Sequence, residues 1–206
     1  MEDVQWAFAG KSHVTNEKKN ESGDTVSWHS IWHHYVDTKS DEPESDEGDM
    51  TLQEDGSVLE EGFNIIENGA KQHYEELWVD PPVEPLGTKG NRHSFVVRAD
   101  DENKKCIGLV IKIGTYCQGI LKTANGFTIE RWQRIAPPDG EDVWVPSATH
   151  PSVIVKKSNW VQKYRLGDAG LPCKMICDRT DGKMGSKFRL DQGDGINWRL
   201  VEEYYY

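Results

Sequence analysis

His29, His33 and His34 fall within one short run, TVSWHSIWHHYVD. If that run is extended, His29 and His33 share a face and could join a metal ion or an acid–base pair. Two imidazoles hold an ion only when a third ligand arrives, and neither His93 nor His150 supplies one by spacing. Histidines fixed in place by hydrogen bonds are the simpler expectation. Cys173-x3-Cys177 invites a zinc reading. Structural zinc sites, however, use two tight pairs or a cysteine pair followed by a histidine pair, and Cys106 and Cys117 are too far apart to form the second one. The cysteines are expected as small buried hydrophobes, with no metal.

Other chemistry lacks its signatures. There is no Gly-x-Ser-x-Gly elbow, and no cysteine sits in a catalytic context. GDAG and GDGIN read as turns, since neither opens a helix after a strand as a phosphate-cradling loop must. No cofactor and no catalytic residue are expected. A net charge of -11 argues against a nucleic-acid partner, and the doublets Lys104-Lys105 and Lys156-Lys157 read as solvated surface. The start, MEDVQWAFAGKSH, lacks the basic flank and apolar stretch of a secretory signal. The expectation is a cytoplasmic or nuclear protein whose thiols stay reduced.

The elements that would position these residues read as strands. CIGLVIKIGTYCQGIL, residues 106–121, is too short and too glycine-rich for a membrane helix, and Lys112 interrupts it. It reads as one long strand with Leu109, Ile111, Ile113, Thr115 and Cys117 toward a core. Three hairpins follow the same grammar: SFVVRADDENKKCIGLV with its loop at 100–105, KTANGFTIERWQRI with Asn125-Gly126 at the turn, and GSKFRLDQGDGINWRLVEEYYY with a turn at 191–195. Upstream, TVSWHSIWHHYVD alternates as a strand. HYEELWVD is either a strand or one helical turn, stopped by Pro81-Pro82. The chain is expected to be all-β, of curled-sheet or barrel type.

From Ser40 to Ala70 no basic residue occurs, and acids crowd in at Asp41, Glu42, Glu44, Asp46, Glu47 and Asp49. Residues 40–61 are expected as a long exposed acidic loop whose usual meaning is solvation. A functional reading attaches to Ser45: Asp41, Glu42 and Glu44 precede it, the upstream context that casein-kinase-I-type kinases favour. A second boundary lies at VDPPVEPLGTKGNRH, which divides residues 1–90 from residues 91–206.

Four segments carry a family resemblance: QWAFAG at 5–10, ELWVDPPVEP at 76–85, GLVIKIGTYCQGIL at 108–121 and GINWRLVEE at 195–203. Together they resemble the fungal HRI protein family. The resemblance implies two lipocalin-like β-barrels in tandem and association with a casein-kinase-I-type kinase, with no catalytic residues to carry over. Family members usually begin well before the segment matching Trp6–Gly10, so the first barrel is expected to be abbreviated. It would then be open, or completed by a partner or a homodimer.

Two roles follow. The first is a non-catalytic binding or adaptor protein with a kinase partner. The second is a cofactor-independent barrel that holds a small hydrophobic metabolite and guides its cyclisation or isomerisation by confinement. Trp28, Trp32, Trp198 and Arg131 are the lining to test. Arg131 has two readings. If Phe127, Ile129, Arg131 and Ile135 face inward, it is a cation needing an acid or an anionic ligand. A local bulge would instead send it outward with Arg134.

Overall fold

The computed structural model describes residues 4–42, 44–66, 68–81, 93–135, 144–146, 154–156, 159–179, 187–189 and 195–205. The chain divides into two compact units, Met1–Pro82 and Val83–Tyr206. Both are built from antiparallel strands, and the fold is all-β. No helix among the described residues is long and apolar enough to cross a membrane.

The first unit is a five-stranded meander in the order β1-β2-β3-β4-β5. Its strands are β1 (Phe8–Lys19), β2 (Thr25–Asp37), β3 (Ser45–Leu52), β4 (Val58–Ile65) and β5 (Lys71–Trp78). The β1–β2 turn is held by Asn20, whose side-chain oxygen accepts the backbone N–H groups of Ser22 and Asp24. HYEELWVD thus resolves as strand β5.

The acidic stretch is not the long loop its charge suggested, because β3 and the start of β4 lie within it. Alternation reconciles charge with pairing. Gly48 and Met50 turn inward and are buried, while Glu47 and Asp49 point out to water, where their repulsion is screened. His29 on β2 meets them there, with Nδ1 2.8 Å from the Asp49 carboxylate.

The second unit is a seven-stranded sheet in the order β12-β9-β8-β7-β6-β14-β13, with a separate two-stranded ribbon, β10-β11. The strands are β6 (His93–Asp101), β7 (Cys106–Ile113), β8 (Tyr116–Thr123), β9 (Gly126–Arg134), β10 (Trp144–Pro146), β11 (Ile154–Lys156), β12 (Trp160–Leu166), β13 (Lys187–Arg189) and β14 (Asn197–Tyr205). One short helix, α1 (Cys173–Cys177), packs on β7, β8 and β9. Among the described residues no strand pairing joins β12 to β13, or β1 to β5, so both sheets are open.

Residues 106–121 form a hairpin rather than one strand, and the opposite face of β7 is the core face. Gly114, at φ +49, makes the turn with Thr115. Lys112 pairs with Cys117 across it, so even positions on β7 share a face with odd positions on β8, and one alternation cannot run through both. Val110, Lys112 and Leu121 are buried, as are Leu109 and Cys117 of the residues expected inward, whereas Ile111 and Ile113 are 37% and 43% exposed.

Two bare positions shape this core. A Cβ at Gly108 would lie 2.7 Å from Trp198 Cη2, and one at Gly119 would lie 2.7 Å from Cys173 Sγ. The absence of side chains there lets the Trp198 ring and helix α1 sit down on the sheet. Lys112 completes the seal. Its ammonium donates to the carbonyl oxygens of Ile176 at 3.1 Å, Cys177 at 2.9 Å and Arg179 at 2.7 Å. Three protons meet three carbonyls at the C-terminal end of α1, where the helix dipole favours a cation.

Candidate functional site

One face of the N-terminal sheet gathers side chains that lie far apart in sequence. Register pairs Trp32 with Asp46, Glu60 with Glu76 and Gly62 with Tyr74, so the even-numbered positions of β2, β3, β4 and β5 share that face. A cleft of about 730 Å³ opens over it. Its aromatic walls are Trp6, Phe8, Trp32, Tyr74 and Trp78, and its charged groups are Asp46, Glu60, Glu76 and Lys39.

Glu60 is the centre of the site. It is 3% exposed, and each of its carboxylate oxygens accepts a hydrogen bond: Tyr74 Oη donates to Oε1 at 2.8 Å and Trp78 Nε1 to Oε2 at 2.7 Å. Two glycines make room for this arrangement. A Cβ at Gly48 would lie 2.8 Å from the Glu60 side chain, and one at Gly62 would lie 2.4 Å from Tyr74 Oη. Burial pushes the Glu76 carboxyl above its usual range, with help from the charges of Glu60 and Asp46. Burial also drives the Tyr74 hydroxyl upward, together with its bond to Glu60, so Tyr74 stays a donor.

The rim is tied down by Trp6, ahead of β1, and by Phe8 at its first position. Trp6 Nε1 donates to Asp37 Oδ1 at 3.0 Å, and Phe8 stacks on His34 with ring centroids 3.8 Å apart. His34 Nδ1 lies 2.7 Å from Asp37 Oδ2. Burial raises the Asp37 carboxyl, but hydrogen bonds from Lys39 N–H, Trp6 and His34 outweigh it and hold the group below its usual value. Lys39 Nζ stands 4.7 Å over the Trp6 ring.

The sequence candidates distribute unevenly. Trp32 lines the cleft. Trp28 stands on the same face of β2 and donates to Ser30 Oγ at 3.0 Å. Trp198 is fully buried in the core of the second unit. Arg131 faces outward, exposed, with Nε donating to Gln118 Oε1 at 2.9 Å. The inward residues of β9 are Thr128, Glu130 and Trp132, and the inner face of that sheet is filled by Leu171 and α1. Ser45 is exposed at the start of β3.

His29 and His33 acquire no common third ligand among the described residues. Glu61, His73 and Glu75 do bring ligand atoms within 4.8 Å of one another, on the exposed outer face of β4 and β5. The cysteines are buried and free. Cys117 is held well above the usual thiol range, first by its hydrogen bond to Cys173, and Cys177 is likewise raised, first by Cys117. Sequence reading passed over Glu60, Tyr74, Glu76 and Trp78. The one available signal was strand alternation in HYEELW, which puts Tyr74, Glu76 and Trp78 on one face.

The sequence profile of the family described as Protein HRI1 matches residues 1–202. The chain belongs to the HRI1 family. Among solved structures, it is similar to that of an uncharacterised protein, YLR301w, from the yeast Saccharomyces cerevisiae. The TM-score is 0.61 at 18% identity, over 97% of this chain and 79% of that one. At that identity the likeness speaks to the fold alone. No curated protein sequence matches the chain significantly.

Proposed function

We propose that this HRI1-family protein is a non-catalytic binding protein that holds a small, largely hydrophobic molecule in the cleft of its N-terminal sheet. The observation that carries this reading is the cleft of about 730 Å³ walled by five aromatic side chains, with one buried carboxylate at its centre. Ligand sites in proteins fall in that size range and combine apolar walls with a few placed polar groups. In the second unit α1 and Leu171 pack into the core on the inner face of the sheet. We read the two units as tandem domains of lipocalin-like type with the division near residue 90, acting in the cytoplasm or nucleus. Native mass spectrometry of protein purified from the cells that make it tests the proposal. A co-purifying small molecule that is lost on Trp32→Ala supports it, and uniformly unliganded protein overturns it.

A kinase partner is the second reading, favoured by Ser45. That hydroxyl is exposed where β3 begins, directly after Glu44 and close behind Asp41 and Glu42. Labelling by a casein-kinase-I-type enzyme that disappears in Ser45→Ala supports this reading. Labelling that persists in the variant, or none at all, removes it.

A further inference from the structure

Each unit buries a glutamate beneath a tryptophan. Glu130 in the second unit is 3% exposed, accepts the Trp132 indole N–H at 2.8 Å and is paired with the Arg165 guanidinium. Glu60 is equally buried and accepts the Trp78 indole N–H at 2.7 Å, but a tyrosine hydroxyl stands where Glu130 has an arginine. Two donors, one on each oxygen, is the pattern of an ionised carboxylate. Among the described residues no basic side chain pairs with Glu60, and a buried charge calls for an opposite one.

The surroundings deepen the deficit. Asp46 and Glu76 line the same cleft, so three carboxylates face one ammonium, that of Lys39. That ammonium sits 4.7 Å over the Trp6 ring, which shows that the aromatic wall accepts a cation on its face. We propose that the N-terminal cleft is a site for an organic cation, a tertiary or quaternary ammonium on an apolar body. Its charge is answered by Glu60, Asp46 and Glu76, and its alkyl groups pack on the tryptophan rings. The assignment rests on the reading of the cleft as a ligand site. A substituted ammonium fits better than a bare amine. Three N–H groups would each need an acceptor, whereas the tryptophan and tyrosine rings that form the walls offer π faces to an alkylated cation. The size of the cleft requires the apolar body as well as the cationic head.

Isothermal titration calorimetry on the full chain tests this with acetylcholine and its neutral isostere 3,3-dimethylbutyl acetate, in which carbon replaces the charged nitrogen. The cation is expected to bind about two- to fivefold tighter than the isostere, the share a partly exposed aromatic site gives to charge. Glu76→Gln is expected to weaken the cation several-fold and leave the isostere unchanged. Lys39→Gln, which removes the competing ammonium, is expected to tighten the cation. Opposite shifts in two rim variants separate recognition from damage to the fold. Equal binding of cation and isostere, or no response to either substitution, overturns the cationic assignment while the ligand site stands. No binding of either compound at millimolar concentration overturns both.

Discussion

The indole of Trp78 donates to Glu60 at 2.7 Å from the edge strand, while Tyr74, four residues earlier on that same strand, donates to the other oxygen at 2.8 Å. Strand β5 thus grips a buried anion of β4 with two neutral hydrogen bonds. Neither residue is fully buried itself, so the edge strand is fastened through Glu60 more than through apolar packing.

Tyr74→Phe keeps the ring and removes one of these donors. The oxygen left behind is buried, and a buried acceptor without a partner costs about 1–3 kcal/mol. Urea unfolding of the N-terminal transition is expected to show a loss of that size with an unchanged slope. In the Glu60→Gln background the same substitution is expected to cost measurably less, since the charge that needed the donor is gone. An equal cost in both backgrounds would mean that Tyr74 acts through packing alone.

At Gly108 even one methyl group is excessive. It would fall 2.7 Å from Trp198 Cη2 and 3.0 Å from Leu121 Cδ1, both in the fully buried core. Overpacking of this kind costs about 1–3 kcal/mol. Gly108→Ala is expected to lower the melting temperature of the second unit and to alter the near-ultraviolet circular dichroism that a rigid Trp198 produces. An unchanged spectrum would show that the indole shifts aside freely.

The sequence displays its strands far more readily than the faces they bury. Asn125-Gly126 marks its hairpin to within one residue, since Thr123 and Gly126 pair and the two loop residues between them are Ala124 and Asn125. The parity of β7 was misread because Lys112 is charged and charged residues normally face water. Only the fold reveals the carbonyls of Ile176, Cys177 and Arg179, at and just past the end of α1, waiting for it. The cleft was less legible still. Asp46 and Glu60 lay in a stretch that charge alone assigns to a loop, and their meeting with Glu76 depends on a register that composition does not encode. Of the cleft residues, Trp32 was found because it sits in a strongly alternating segment. Of the two readings of Arg131 the outward one holds, because the inward face of β9 carries Glu130, an acid whose partner Arg165 arrives from β12.

Lys112→Met preserves the length and apolar stem of the side chain but removes its three hydrogen bonds to the carbonyls of Ile176, Cys177 and Arg179, of which Ile176 keeps the Arg179 N–H at 3.2 Å. Methionine also removes the cost of burying a charge, which is why the ammonium lies below its ordinary lysine range. The lost hydrogen bonds outweigh that relief, because each unpaired buried carbonyl carries its own desolvation cost. The expected loss is about 2–4 kcal/mol, with hydrogen exchange rising first in 173–179 and later in β7. A stability equal to the parent would show that α1 holds its place by apolar contacts.

Glu76 gives the cleft a pH dependence with a definite sign. Its carboxyl is raised above 4.5, first by burial and then by Glu60 and Asp46, so the folded protein holds that proton more tightly than the unfolded chain does. The stabilising contribution is complete below the unfolded value and is lost as pH rises through the folded one. Near pH 7 the ionised Glu76 is therefore a burden, kept under about 1 kcal/mol because water screens a group so open to solvent. Glu76→Gln is neutral throughout. It is expected to be more stable than the parent near neutral pH, and the advantage is expected to shrink on acidification toward about pH 4, where the parent regains its proton. Guanidinium unfolding series on both proteins, at matched ionic strength across that range, measure the difference. An advantage that grows on acidification would mean that Glu76 is stabilised as the anion, and that the three carboxylates do not share one field.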